Sequence, residues 1–567
     1  MSASKNGALP FPWRFRIVLG MLGLLALVLI GQLVNLQVIR QDFLNNQGDA
    51  RALRTEAIPA HRGMIVDRNG EPLAISAPVE TLWAEPKILG EYPDHWGDLA
   101  KALDTPEDEL GRRIKVNGSK EFMYLRRQMT PSDAAKVMAL GIPGVYSRKE
   151  YRRFYPAGEV TSHVVGFTNV DGRGQEGIEL EFNDWLEGHT GEKEVLRDRL
   201  GRTIKDLKLI KQSRPGQDLA LTIDLRLQYL AYQALKGIVA ENGAKAGTMV
   251  VLDPQNGEVL AMVNQPAYNP NNRVDVSSSS LRNRALTDMF EPGSTMKPLT
   301  ISAGMLTNTI TPDTKIDTHP GTLRITYKTI RDHRDYGVLD ITGIITHSSN
   351  VGAAKISMML PQDALYQTFH NFGIGVNPGT GFPGEQAGDL PHYGPKQVLQ
   401  QATTSYGYGL TVTPAQLARA YVPFANGGRL FPVSLVRTNQ PPQAVQVIPA
   451  DTAHSILKML ETVTETGTAT RSRVPGYKLG GKTGTVHKVG PNGYEADHYF
   501  SVFAGVAPIS DPRVVAAIFI DDPQGGEYYG GAVAAPVFGR FVAGAMRLLK
   551  VPPDDLEKLR KLQGDKS

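Results

Sequence analysis

The segment FEPGSTMKPLT, residues 290–300, contains a serine and a lysine at a spacing that nucleophilic catalysis can use. Proline and glycine directly precede Ser294, so the pattern predicts that Ser294 opens a helix. Residues i and i+3 share a helix face, which places Lys297 within reach of the Ser294 hydroxyl. A free serine is a poor nucleophile and needs such a base. The unpaired N–H groups of a helix start also favour a developing oxyanion.

The Ser-x-x-Lys pattern is weak by itself, because the chain contains it three times. One copy, Ser2 and Lys5, precedes the apolar N-terminal segment, and another, Ser455 and Lys458, lies in a helix-like run. A serine N-cap followed by an exposed lysine explains any single copy without chemistry. The interpretation of Ser294 therefore depends on the rest of the chain.

Two further short motifs favour the catalytic interpretation. The segment THSSNVG supplies Ser348 and Asn350 around a middle serine, and LGGKTGTVHK supplies the Lys-Thr-Gly triplet that occurs only once in the chain. Each has a plain structural explanation, a Ser/Asn turn or a glycine-bearing strand end. Their combination with Ser294, in this order and within one predicted domain, is much harder to obtain by chance.

The Lys-Thr-Gly segment is expected to form a strand. Side chains alternate along a strand, so Lys482 and Gly484 share one face. Gly484 is expected to leave room for a substrate backbone beside the strand. The segment precedes the two strand-like runs of the C-terminal half, which predicts a sheet at this point of the domain.

The segment Ile17–Ile39 contains no charged residue and is long enough to cross a bilayer. Residues 1–16 carry basic residues and no acid, which predicts a cytoplasmic tail. A cleaved signal peptide is the alternative, but the apolar stretch is long for one and no small-residue cleavage site follows. The sequence therefore predicts a single-pass anchor over 17–39 and an exported remainder.

Composition excludes several classes of function. The net charge of +4, from 61 basic and 57 acidic residues, is too balanced to predict nucleic-acid binding. Because there is no cysteine, disulfides, thiolate catalysis and cysteine metal sites are excluded. Metal-ligand spacing and a phosphate-binding loop are also absent, so we expect no metal and no cofactor. The lone histidines are expected to be structural, namely His61, His163 and His347.

The exported part divides by its patterns into two modules and a tail. Residues 40–215 are polar, with short strand-like runs and many turn residues, which predicts a non-catalytic α+β pedestal. Residues 216–550 read as helix, hairpin, a mostly helical middle, two strands and a final helix. This order predicts an α/β domain in which helices flank a central antiparallel sheet. Residues 551–567 form a charged tail.

Ser-x-x-Lys, Ser-x-Asn and Lys-Thr-Gly together are the signature of the serine penicillin-recognising enzymes. The chain resembles their class B penicillin-binding proteins over nearly its whole length. RGMIVDRNG, RRFYPAG, SHVVGF and GIELEFNDWLEG resemble the family's N-terminal module. FEPGSTMKP and SYGYGLTVTPAQLA resemble its septal, division-type branch, penicillin-binding protein 3. The resemblance implies a peptidoglycan D,D-transpeptidase of the bacterial inner membrane with a periplasmic catalytic domain.

The resemblance also implies roles for the motif residues. Ser294 attacks the penultimate D-Ala carbonyl of a stem peptide ending in D-Ala-D-Ala, and Lys297 accepts the serine proton. Ser348 passes a proton to the leaving amine, and Asn350 holds the substrate amide. Lys482 keeps Lys297 neutral and attracts the terminal carboxylate.

Further residues are implied in substrate binding. Thr483 and Thr485 hydrogen-bond the terminal carboxylate, beside Gly484, and the backbone N–H groups of Ser294 and Thr485 form the oxyanion hole. Four tyrosines are candidates for the wall of the acyl pocket, with ordinary core or surface aromatics as the alternative: Tyr406, Tyr408, Tyr528 and Tyr529.

A β-lactam is implied as a covalent inhibitor at Ser294. A glycosyltransferase of the SEDS family and divisome membrane proteins are implied as partners. Two alternatives remain open at this point: a membrane-tethered β-lactamase or β-lactam sensor, and a non-catalytic divisome scaffold. The motifs alone do not exclude hydrolysis of the acyl-enzyme. The large N-terminal module argues against the first alternative, and the intact motifs argue against the second.

Overall fold

A computed structural model describes most of the chain. The described residues are 12–41, 53–197, 203–438, 440, 442–490 and 493–556. The pair Ser2 and Lys5 and most of the predicted C-terminal tail lie outside them.

The predicted anchor lies in one exposed apolar helix. The helix Pro12–Val34 continues as a π-helical turn over Asn35–Ile39. The stretch Trp13–Ile39, 27 residues, is long and apolar enough to cross a membrane.

Chain contacts divide the protein into two units. The first comprises residues 1–60, 78–151 and 188–215, and the second comprises the remaining residues, 61–77, 152–187 and 216–567. The chain passes from the first unit to the second for the last time between residues 215 and 216. The boundary that the sequence predicts between the pedestal and the α/β domain lies at the same position. Two segments predicted as pedestal, 61–77 and 152–187, instead pack with the second unit.

A buried ion cluster explains why these two segments belong together. The Glu179 carboxylate accepts from Arg62 Nε and from Arg153 Nε, each at 2.6 Å, and all three side chains are buried. An isolated buried charge is costly, so the cluster holds only while both segments stay in place. Sequence patterns do not reveal such a long-range pairing.

The first unit contains a three-stranded sheet and strands of a second sheet. Its three-stranded sheet has the order Leu53–Ile58, Gly191–Arg197, Thr203–Lys211. In the second sheet, residues 80–84 of the strand Pro72–Ala84 pair with Met123–Met129, and this strand also pairs with Val145–Phe154. Helices complete the hydrophobic core of this unit, at Pro86–Leu89, Trp96–Ala102, Glu107–Val116 and Pro131–Met138.

The second unit is built on a five-stranded antiparallel sheet, here called the central sheet. Its order is Val259–Gln265, Ala246–Leu252, Val514–Asp521, Gly493–Ala507, Gly480–Gly490. Every residue of the first two strands is buried, so packing covers both faces of the sheet. The last strand, Gly480–Gly490, is an edge of the sheet and is called the edge strand below.

The helices of this unit begin where the sequence places capping residues. Asp224 caps Leu225–Glu241, because its carboxylate accepts from Arg226 N at 3.0 Å. Thr413 forms a capping box at Pro414–Ala425. The other longer helices are Lys297–Leu306, Ile341–His347, Asn350–Met359, Ala364–Asn371, Val398–Thr404, Ala450–Glu465 and Ala534–Leu548.

Shorter elements lie between these helices. Two small hairpin-like sheets pair Lys315–Asp317 with Val338–Asp340 and Thr322–Ile325 with Lys328–Arg331. In the segments at 61–77 and 152–187, the first strand is Ile65–Val66, and the short helices are Ser162–Val165, Gly177–Glu181 and Asn183–Leu186.

Candidate active site

Ser294 lies in a tight 3-10 turn, Gly293–Met296, that leads directly into the helix Lys297–Leu306. Two contacts hold this turn in place. The Gly293 N–H donates to the Gly407 carbonyl at 3.1 Å. The buried Tyr421 hydroxyl donates to the Thr295 carbonyl at 2.7 Å. The predicted helix start is confirmed, and its turn is fixed by residues more than 100 positions away.

Lys297 is buried at the centre of a hydrogen-bond network. Its Nζ lies 2.7 Å from Ser294 Oγ, 3.0 Å from Ser348 Oγ and 2.7 Å from the Ser348 carbonyl. It also lies 2.7 Å from Asn350 Oδ1. Four acceptors surround one nitrogen, whereas an ammonium has three N–H donors. A neutral amine in this position can accept the Ser294 proton.

Burial, more than any other cause, lowers the pKa of Lys297 well below its ordinary value, and the nearby charge of Lys482 lowers it further. The Asp332 carboxylate acts in the opposite direction and raises this pKa. Burial also lowers the pKa of Lys482, to about 7. The resemblance implied that the charge of Lys482 keeps Lys297 neutral, and desolvation of Lys297 itself is the larger effect.

Ser348 has a left-handed backbone, with φ of 61°, where the helix Ile341–His347 ends. This conformation is uncommon for a residue with a Cβ. It turns both the carbonyl and the hydroxyl of Ser348 toward Lys297. The Ser348 hydroxyl also accepts from Lys482 Nζ at 2.9 Å, so it bridges the two lysines.

The Asp332 carboxylate orients the Ser-Ser-Asn motif from outside it. One oxygen accepts from Asn350 N at 2.5 Å and from Val351 N at 3.0 Å, and the other accepts from Ser349 Oγ at 2.6 Å. A carboxylate that accepts the first N–H groups of a helix stabilises the helix start. Asp332 therefore sets the position of Asn350, although no sequence motif marks it.

The edge strand carries the Lys-Thr-Gly motif with the predicted alternation. Lys482 points to Ser348, whereas Thr483 Oγ1 lies 2.6 Å from Thr468 Oγ1. The hydroxyl of Thr485 accepts from Gly530 N at 3.0 Å, which leaves its own hydrogen available to donate.

The expectation for Gly484 is corrected by the structure. A Cβ at this position would lie 2.8 Å from the Pro292 carbonyl and 3.4 Å from Thr295 Cγ2. The missing side chain therefore admits the loop that bears Ser294, not a substrate backbone. A Cβ at Gly293 would in turn lie 3.9 Å from Thr485 N, so the nucleophile turn and the edge strand are in close contact.

The predicted tyrosines fall into two groups. Tyr406 and Tyr408 lie beside the nucleophile turn, with ring centroids 5.6 Å apart and a T-shaped arrangement. Tyr528 and Tyr529 stack on each other at 4.6 Å, and Tyr499 stacks on Tyr528 at 4.0 Å. Their role in binding an acyl group stays a prediction.

The remaining sequence candidates are structural. Ser455 donates to the Asp451 carbonyl within its helix. The Ser-x-x-Lys pattern of Ser455 and Lys458 therefore has a structural explanation and no catalytic one. His163 is buried, its ring bonds to the Ser280 carbonyl, and burial lowers its pKa to about 4. His347 stacks on Tyr336. Within the part of the chain that the structure describes, no group of metal-ligating side chains is found.

Two residues near Ser294 were missed by sequence reasoning. The Glu291 carboxylate accepts from Gly409 N at 2.8 Å and from the Tyr494 hydroxyl at 3.0 Å. The only available signal was that Glu291 precedes Ser294 by three positions. Tyr494 lies near the tip of a hairpin, far from every motif in the sequence.

Comparison with known families agrees with this arrangement. Residues 247–543 match the penicillin binding protein transpeptidase domain, and residues 57–221 match the penicillin-binding protein dimerisation domain. The chain therefore belongs to the penicillin-binding protein transpeptidases.

Individual relatives point to one branch of this family. The chain is 43% identical to the probable peptidoglycan D,D-transpeptidase PbpC of Pseudomonas aeruginosa, covering 96% of this chain and 97% of PbpC. It is 42% identical to the peptidoglycan D,D-transpeptidase FtsI of Escherichia coli K12, covering 96% and 93%. The structure is also similar to penicillin-binding protein 3 of Mycobacterium tuberculosis complexed with aztreonam, with 26% identity, a TM-score of 0.68 and coverage of 88% and 98%.

Proposed function

We propose that this protein is a membrane-anchored peptidoglycan D,D-transpeptidase that cross-links stem peptides through an acyl-enzyme on Ser294 during septal wall synthesis. The observation that carries the proposal is the buried amine of Lys297, with a lowered pKa and 2.7 Å from the Ser294 hydroxyl. A serine next to a neutral lysine is an activated nucleophile.

Acylation begins when Ser294 Oγ attacks the carbonyl carbon of the penultimate D-Ala and its proton moves to Lys297. The backbone N–H groups of Ser294 and Thr485 stabilise the resulting oxyanion, and one such donor contributes about 3 kcal/mol. The C–N bond then breaks. The leaving amine takes its proton from Lys297 through the Ser348 hydroxyl, which lies 3.0 Å from Lys297 Nζ, and D-Ala departs.

Transpeptidation follows when an amine of a second stem peptide attacks the acyl carbon. The amine loses a proton to Lys297, the new amide forms, and Ser294 Oγ leaves and recovers its proton. Asn350 accepts from Lys297 through Oδ1 and donates one Nδ2 hydrogen to the Arg331 carbonyl, so it holds the lysine and keeps its other Nδ2 hydrogen for the substrate amide.

Recognition of the substrate carboxylate falls to Lys482, Thr483 and Thr485 on the edge strand. A carboxylate near Lys482 favours the protonated amine and raises its pKa from about 7. A β-lactam presents a carboxylate and a reactive carbonyl in a similar relation and would acylate Ser294 in the same way.

The apolar helix Trp13–Ile39 supports a single-pass anchor in the bacterial inner membrane. The basic residues before it favour a cytoplasmic N-terminus and a periplasmic catalytic domain. A SEDS-family glycosyltransferase and divisome membrane proteins are the partners that fit this placement.

The experiment that tests this function is a cross-linking assay. Purified protein receives a stem peptide ending in D-Ala-D-Ala and an amine acceptor, and released D-Ala and the cross-linked product are measured. Release of D-Ala only to water, or rapid loss of a penicillin label from Ser294, contradicts transpeptidation and favours the hydrolytic alternative.

The acylation rate is expected to fall at both acidic and alkaline pH. Lys297 works as a base only when neutral, so kcat/KM should fall as the pH drops through its lowered pKa. Lys482, with a pKa of about 7, attracts the substrate carboxylate only when protonated, so kcat/KM should also fall at alkaline pH. Because the two amines interact, the two apparent pKa values belong to the pair. Acylation measured from pH 4 to 10 checks this, and a flat profile refutes the lysine base.

Asp332→Asn is expected to slow acylation about tenfold, because hydrogen bonds to a charged group are worth roughly 1.5–3 kcal/mol. The variant also removes a charge that raises the pKa of Lys297. The acidic limb of the pH profile should therefore move to lower pH. Asp335→Asn, an exposed acid of the same loop, is the matched control. If Asp332→Asn acylates more slowly but the acidic limb of its pH profile stays where it is in the wild type, the electrostatic part of this prediction is wrong.

A further inference from the structure

Ser294 and Lys297 lie in two different kinds of helical turn. Residues Gly293–Met296 form a 3-10 turn, and the α-helix begins only at Lys297. Side chains at positions i and i+3 eclipse each other in 3-10 geometry. In an α-helix, with 3.6 residues per turn, the same two side chains are about 60° apart. The 3-10 turn therefore brings Ser294 into line with Lys297, whose Nζ lies 2.7 Å from Ser294 Oγ.

Pro298 prevents the α-helix from reaching back to the nucleophile. In an α-helix, the Ser294 carbonyl would accept from the N–H of residue 298. Proline has no N–H, so this hydrogen bond does not exist in the protein. The Ser294 carbonyl instead accepts from the Lys297 N–H, three residues further on, which is the hydrogen bond of a 3-10 turn. Pro298 thus excludes the α form of the turn by removing its donor.

Tyr421 binds the next carbonyl of the turn, that of Thr295. An α-helix would direct this carbonyl to the Leu299 N–H. In the structure, the Tyr421 hydroxyl donates to it at 2.7 Å. Tyr421 is fully buried in the helix Pro414–Ala425, and burial raises its pKa well above the ordinary value, so the hydroxyl keeps its proton. A side chain that bonds a carbonyl of the helix ladder tilts that carbonyl away from the helix axis.

We propose that Pro298 and Tyr421 are positioning residues that hold the nucleophile turn in 3-10 geometry and so align the Ser294 hydroxyl with the Lys297 amine. The inference rests on the proposed function, because the alignment serves the transfer of the Ser294 proton to Lys297. Each residue acts through a backbone carbonyl of the turn and not through the reacting atoms. The turn also carries the Ser294 N–H of the oxyanion hole, so its geometry affects both parts of the acylation step.

Tyr421→Phe removes the hydroxyl and keeps the ring. Stopped-flow acylation by benzylpenicillin separates the dissociation constant of the noncovalent complex from the acylation rate constant. We expect the acylation rate constant, measured per folded enzyme, to fall about tenfold, because a shift of about 1 Å in a reacting group can cost 10²-fold. The dissociation constant should not change. A residue with only a structural role would lower the melting temperature and leave the acylation rate of the folded enzyme as it is.

Tyr268→Phe is the matched control. Tyr268 is also buried, and its hydroxyl donates to a backbone carbonyl, that of Ser162, at 3.0 Å. This variant loses the same kind of hydrogen bond outside the nucleophile turn, so it should lose stability and acylate like the wild type. If Tyr421→Phe acylates at the wild-type rate, or if Tyr268→Phe slows acylation equally, the proposal is wrong.

Pro298→Ala tests the other positioning residue, because alanine restores the N–H at position 298. The Ser294 carbonyl can then accept an α-helical hydrogen bond, and we expect the acylation rate constant to fall with no change in the dissociation constant. Pro131→Ala, at the start of the helix Pro131–Met138, is the control and should acylate normally. If Tyr421→Phe does not fold, Pro298→Ala carries the test, and a wild-type acylation rate for it overturns the proposal.

The double variant tests whether the two residues act on one turn. Residues that act on the same structural element are not additive, so Tyr421→Phe combined with Pro298→Ala should lose less than the product of the two single losses. Losses that multiply contradict a shared role. If benzylpenicillin does not acylate Ser294 of the wild type, the proposed function fails instead of this inference.

Discussion

Ser294→Ala is expected to abolish covalent labelling by penicillin and to reduce stem-peptide cross-linking by about 10⁴-fold or more, because the atom that forms the acyl bond is lost. The fold should survive. Lys297 keeps three other hydrogen-bond acceptors, the hydroxyl and carbonyl of Ser348 and the amide oxygen of Asn350. Mass spectrometry after incubation with penicillin and a thermal unfolding curve check both parts.

The chain supplies a matched control for this variant. Ser455 is the serine of another Ser-x-x-Lys, on an exposed helix face and without contact to the network. Ser455→Ala should therefore label and cross-link like the wild type. Residual labelling of Ser294→Ala would place the nucleophile on another residue.

Gly407→Ala is expected to slow acylation about 10²-fold. A Cβ at Gly407 would lie 2.1 Å from the Gly293 carbonyl oxygen, one residue before Ser294. The nucleophile turn must move to admit the methyl group, and a shift of about 1 Å in a reacting group can cost 10²-fold in rate. The second-order rate of acylation by benzylpenicillin measures this effect.

Gly409→Ala separates displacement from backbone strain. Gly407 and Gly409 both have positive φ, 85° and 76°, so alanine is strained at either position. At Gly409, however, a Cβ meets no atom within 4 Å. Gly409→Ala should lose stability of about 1 kcal/mol and retain most of its acylation rate. Equal rates for the two variants would show that the turn tolerates the methyl group.

The parts of the site that follow from local geometry were predictable from sequence. Ser294 and Lys297 meet because they are three residues apart at a helix start. The strands of the central sheet were predictable from their apolar runs and turn residues, and so was the final helix. The convergence of Ser348, Asn350 and Lys482 on Lys297 was inferred from the family resemblance, since no local rule brings distant segments together.

The rest depends on contacts between residues far apart in the chain. Asp332 caps a helix from a separate hairpin, and Tyr494 reaches Glu291 across about 200 positions. Neither pairing leaves a periodic pattern or a composition bias. The same holds for the shared carboxylate of Glu179, which joins Arg62 and Arg153 and so holds the segments 61–77 and 152–187 together.

The left-handed backbone of Ser348 has a consequence for how this protein can evolve. Glycine suits such a conformation better than any residue with a Cβ, and the difference is of order 1–2 kcal/mol. Glycine would thus give a more stable fold, but it lacks the hydroxyl that joins Lys297 to Lys482. The protein retains a locally unfavourable conformation because the chemistry requires a side chain there. Ser348 is therefore a point at which selection for stability and selection for activity oppose each other.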